Sequence, residues 1–149
     1  MILQFLFILV NQTFVSITHI KESSFMDTSI ALTVIGVVLT IIGIIFVVFP
    51  KVVNEKTMKD LPAEAVEISA LFRAANGGLG LALAMVAIYC RNLPPEYARI
   101  VLLSLGTGFI IVNGSLVSGK LRGFGNELPV PPMIIFMLMT ILAYYTALS

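Results

Sequence analysis

The sequence predicts an all-α fold, an integral membrane four-helix bundle with an additional N-terminal apolar helix. Three observations point there. Of 149 residues, 58% are hydrophobic and 11% charged, whereas a soluble domain carries about 25% charged residues. Four apolar stretches approach or exceed the length needed to cross a hydrocarbon core of about 30 Å. The alternation over about ten residues that marks a membrane β-barrel strand is absent. The mean hydropathy of +1.04 agrees.

The chain divides into two parts, residues 1–25 as an N-terminal apolar helix or extension and residues 26–149 as the four-helix transmembrane domain. Met1–Ile20 is apolar but interrupted by Asn11, Gln12 and Thr13. It lacks the basic start and small-residue cleavage site of a signal peptide. Ser29–Phe49 has no charge over about 21 residues, enough to span. Thr33, Gly36, Thr40 and Gly43 recur there at helical spacing, which gives a seam where another helix can approach closely. Pro50 ends this helix. Lys51–Leu61 is the most charged segment, and Glu55/Lys59 and Lys56/Asp60 are i,i+4 pairs that suit a short surface helix.

Pro62 opens the next helix, about Ala63–Cys90, with Glu64 and Glu67 near its positive end. Gly77, Gly80 and Ala84 share one face, and Ala74, Gly78 and Ala82 an adjacent one. Two small-residue faces side by side imply two close neighbours and make this helix the packing centre. Pro94-Pro95 starts a helix over Ala98–Ser118. The Gly/Pro-rich loop Gly119–Pro132 leads to Met133–Leu148, a short span unless Val130–Pro132 joins it. Tyr144 and Tyr145 suit an interfacial anchor.

Composition also excludes function classes. Net charge is +1 with no basic block, so a nucleic-acid partner has no surface to bind. The single cysteine, Cys90, precludes an internal disulfide or CxxC pair. With one histidine, His19, there is no His/Cys zinc cluster and no bis-histidine haem site within one chain. No cofactor is expected. Ser, Cys90 and His19 show no nucleophile–base–acid arrangement.

Polar residues inside the apolar helices mark the candidate site: Glu67, Arg73, Asn76, Asn113, Arg122 and Glu127. An arginine at the centre of a span costs about 2.5–3.5 kcal/mol on insertion scales. Antiparallel connection places all six in one half of the bundle. A buried ion costs less when paired and hydrogen-bonded, so Arg73 is expected to pair with Glu127 or Glu67, with Asn113 or Asn76 in support. The alternative is an interfacial Arg73 that snorkels to water, because Ala74–Cys90 supplies only about one membrane thickness. Lys51, Lys56, Lys59, Lys120 and Arg122 fall on one side and favour cytoplasmic placement of the two longer loops.

Leu71–Leu81, LFRAANGGLGL, resembles the signature helix of small bacterial four-helix membrane proteins of domain-of-unknown-function family 4345, allied to the DoxX-like group. The loop Gly119–Gly123 before a proline-led last helix is similar too. The resemblance covers about Asp27–Leu148. It implies a four-helix membrane fold in the bacterial cytoplasmic (inner) membrane and no established activity. Some DoxX relatives are associated with quinone-linked sulfur oxidation, but no catalytic residue carries over.

The sequence therefore reads first as a structural or accessory component of a membrane complex. Its partners would be the lipid bilayer and either membrane proteins or further copies of itself. The alternative is a binder of a lipid, quinone or other hydrophobic small molecule, with Arg73 and Arg122 at the edge of an apolar pocket. A transporter would need polar groups strung along a path, and here they gather at one level.

Overall fold

The computed structural model describes residues 27–58, 62–123 and 129–149. The expected helix in residues 1–25 lies outside them, as do Lys59, Asp60 and Glu127. The described residues form five helices and no strand: α1 (Thr28–Val48), α2 (Pro50–Thr57), α3 (Ala63–Cys90), α4 (Pro95–Leu121) and α5 (Val130–Leu148). All but α2 are long and apolar enough to cross a membrane. Even α5, at 19 residues, is about 28 Å long at 1.5 Å per residue. Four such helices mark an integral membrane protein.

Prolines set the boundaries. Pro50 ends α1 and also opens α2, with Phe49 as the pivot. The Phe49 N–H still donates to the Ile45 carbonyl at 2.9 Å, while the Phe49 carbonyl accepts from Val53 at 3.1 Å. The chain thus bends at Pro50, which has no N–H to donate, while the Phe49 N–H and carbonyl keep one helical hydrogen bond on either side. Pro95 sits in the first turn of α4, where its missing N–H costs nothing. Pro131 and Pro132 do the same in α5, so Val130–Pro132 joins that span. At the other end of the domain, the Asp27 carboxylate caps α1 by accepting the Ser29 N–H at 2.9 Å.

The hub of the bundle is α1, which packs against all four other described helices; α3 lies mainly along α1, and α4 mainly along α5. This corrects the expectation that α3 is the packing centre. Only one of its two small-residue faces is used. Gly77 and Ala84 are buried against α1, whereas Ala82 is exposed. No described atom lies within 4 Å of where a Gly78 Cβ would stand. The seam on α1 is as expected: Gly36 and Gly43 are buried. The Thr33 and Thr40 hydroxyls donate to the Ser29 and Gly36 carbonyls of their own helix at 2.7 and 2.8 Å.

Leu32 and Ile35 of α1 and Leu102 of α4 are fully buried in a core to which α3 and α5 also contribute. Phe109 stacks on Phe136 with ring centroids 5.7 Å apart, joining α4 to α5. Tyr144, expected with Tyr145 to suit an interfacial anchor, is half-buried and packs on α4. Its ring edge lies against Gly106, and its hydroxyl is 2.9 Å from that of Thr107. Tyr145 alone of the pair is exposed.

Candidate functional site

The polar residues gather where α2 folds back over the first turns of α3. Ser69 and Arg73 are four residues apart on α3, and Asn54 and Thr57 three apart on α2, so each pair shares a helix face. Asn54 is 2% exposed despite its amide. Its carbonyl oxygen accepts the Arg73 Nε–H at 2.8 Å, and its amide nitrogen donates to the Ser69 hydroxyl at 3.0 Å. Ser69 in turn donates to the Val66 carbonyl at 2.9 Å.

The guanidinium is held at two further points. Arg73 Nη2 donates to the Thr57 hydroxyl at 3.0 Å, which donates onward to the Val53 carbonyl at 2.8 Å. Arg73 Cζ lies 5.0 Å from the centre of the Phe46 ring, at the last turns of α1. Hydrogen bonds to a charged group contribute about 1.5–3 kcal/mol, and a cation over an aromatic face about 0.5–2 kcal/mol. The group therefore fastens three helices, α1, α2 and α3, through one cation.

Arg73 does not pair with Glu67. Six residues on a helix rotate by about 240°, which turns the two side chains to different faces. Glu67 instead meets Lys51 at 2.6 Å, and this is the sole ion pair among the described residues. Both side chains are exposed, so the pair contributes about 0–1 kcal/mol. The other expected partner, Glu127, lies outside the described residues.

The remaining predicted residues are not drawn into this group. Asn76 is exposed on α3. Asn113 is half-buried on α4, and its amide oxygen is enclosed without a hydrogen-bond partner among the described residues. Arg122 caps α4 through its N–H to the Ser118 carbonyl at 3.0 Å, with an exposed side chain at the same end of the bundle as α2. Sequence reasoning missed Asn54, Ser69 and Thr57. Eight residues of α2 are too few for a periodic pattern, and nothing in PKVVNEKT distinguishes a buried asparagine from a solvated one.

A second feature is an apolar cleft of about 410 Å³ between α1 and α5, lined by Val34, Val38, Ile41, Ile42, Ile135, Leu138, Met139 and Leu142. No lining residue is polar. Among the described residues no three His, Cys, Asp or Glu side chains converge as a metal site would need. No protein-family model matches the chain, no curated protein matches it, and no solved structure matches its fold.

Proposed function

We propose that this protein is a structural or accessory component of a membrane complex. The observation that carries the reading is the outward face of α3. Only 17% of the most apolar stretch of α3 is buried within the protein, against 33% for α1 and 28% for α4 and α5. The open face carries Ala74, Gly78 and Ala82 between the exposed Leu71 and Tyr89. Association inside a bilayer depends on close van der Waals packing, which small residues permit.

The internal use of Arg73 supports the same reading, since two of its nitrogens are committed to holding α2 on α3. A quinone or similar ligand finds less support. The apolar cleft has no polar group to orient a carbonyl, and ligand sites ordinarily have a few. Kinship with the DoxX-like four-helix proteins belongs to the proposal as well, on Leu71–Leu81 and Gly119–Gly123, but the accessory role does not depend on it.

The test is site-specific photo-crosslinking of the full chain in its native membrane, with the probe at Gly78 or Ala82 and a comparison probe at Ile110 on α4. Products of one discrete mass from the α3 probes, weakened at the Ala82 probe by Gly78→Leu, support the role. A protein that stays monomeric and crosslinks only to lipid from every position overturns it.

A further inference from the structure

We propose that the α2–α3 junction binds the phosphate of an anionic phospholipid, with Arg73 as the receiving cation. A guanidinium has five N–H donors arranged as a rigid fork. Asn54 and Thr57 take Nε–H and one hydrogen of Nη2, which together form the side edge. The end edge, Nη1 with Nη2, has no described acceptor, and the one carboxylate close by in sequence on α3, Glu67, is engaged by Lys51. The network thus fixes the fork and leaves its charge uncompensated by any described carboxylate.

Depth identifies the anion. Ile68, Phe72, Leu79 and Val86 run along the side of α3 away from α1 and are 61%, 67%, 61% and 46% exposed. The eighteen helical steps from Ile68 to Val86 cover about 27 Å, close to the hydrocarbon thickness. Arg73 lies five residues inside the Ile68 end, about 7.5 Å along the axis. An arginine side chain reaches over that distance to the headgroup layer, and the abundant anion there is the lipid phosphate. Phosphate matches the guanidinium fork two oxygens to two nitrogens. A lipid with net negative charge neutralises the cation, whereas in a zwitterionic lipid the headgroup carries its own counter-charge. This site is independent of any complex formed through the outer face of α3.

The experiment is native mass spectrometry of the full chain, delipidated and re-equilibrated with phosphatidylglycerol, phosphatidylcholine or inorganic phosphate. Wild type should retain one phosphatidylglycerol in clear preference to phosphatidylcholine. Arg73→Gln should lower that retention about tenfold or more, the equivalent of losing one charged hydrogen bond. Arg91→Gln, at the opposite end, should leave it unchanged. Arg73→Gln could also loosen the fold, so Asn54→Asp provides a second test. It keeps the acceptor for Nε–H but supplies an internal carboxylate, and it should lower lipid retention in a protein whose thermal unfolding remains cooperative. Equal retention of phosphatidylcholine, undiminished phosphatidylglycerol in both variants, or inorganic phosphate binding as tightly as the lipid would each overturn the proposal.

Discussion

Gly43 and Gly77 meet backbone to backbone across the α1–α3 seam. A Cβ built on Gly43 would lie 2.9 Å from the Gly77 carbonyl oxygen, and one on Gly77 would lie 2.8 Å from the Gly43 carbonyl oxygen. Neither contact can be relieved by turning a side chain. The helices must move apart, and the packing of Leu81 and Phe46 around the seam moves with them.

Gly43→Ala and Gly77→Ala should each destabilise the protein by about 1–3 kcal/mol, the usual range for overpacking. Gly78→Ala, one residue along, meets open space among the described residues and should gain up to about 1 kcal/mol from helix propensity. Unfolding titrations from mild detergent into sodium dodecyl sulfate measure all three. Equal effects at Gly77 and Gly78 would refute the one-sided packing of α3.

Asn54→Ala removes the acceptor for Arg73 Nε and the donor to Ser69 in one step. Leaving buried polar partners unmatched costs about 1–3 kcal/mol each, so a loss of about 2–4 kcal/mol is expected. Amide hydrogen exchange across Pro50–Thr57 should rise as α2 comes free of α3. Lys51→Ala tests the contrast: its ion pair with Glu67 is exposed on both sides, and the change should stay within about 0.5 kcal/mol. If the two substitutions cost the same, the buried amide does not hold α2 in place.

Tyr144→Phe keeps the ring against Gly106 and deletes the contact with the Thr107 hydroxyl. Hydrogen bonds between membrane helices average about 0.6 kcal/mol and reach about 1.7 kcal/mol. A double-mutant cycle with Thr107→Val should return a coupling in that range. A coupling near zero would mean that ring packing alone joins α4 to α5 here.

The spans were legible because hydropathy over about 20 residues is an additive property that tertiary contacts cannot reverse. The Gly36/Gly43 seam was legible for a related reason, since close helix approach requires small residues at helical spacing. Which small face of α3 would be used was not, because Ala74, Gly78 and Ala82 read the same as Gly77, Gly80 and Ala84 until a neighbour is placed. The partners of Arg73 were hidden differently. Charge pairing favours Glu67 on paper, but helical rotation turns it away. Asn54 becomes available only because Phe49 and Pro50 bend the chain back over α3, a tertiary event that no short pattern encodes.

The end of the bundle that carries α2 is also the more basic one. Lys51, Lys56, Lys120 and Arg122 lie there among the described residues, against Arg91 and Arg99 at the other end. Lysine and arginine in short loops are retained on the cytoplasmic side, so α2 should face the cytoplasm and the α3–α4 turn should face away. In a Cys90→Ser background, Asn92→Cys should react with a membrane-impermeant maleimide on intact cells, and Lys56→Cys only after permeabilisation. Both positions are exposed, so burial does not explain a lack of reaction. The reverse pattern would place the basic loops outside. It would also put Arg73 in the outer leaflet, where the supply of anionic lipid differs, so the same labelling decides which leaflet a lipid at Arg73 must come from.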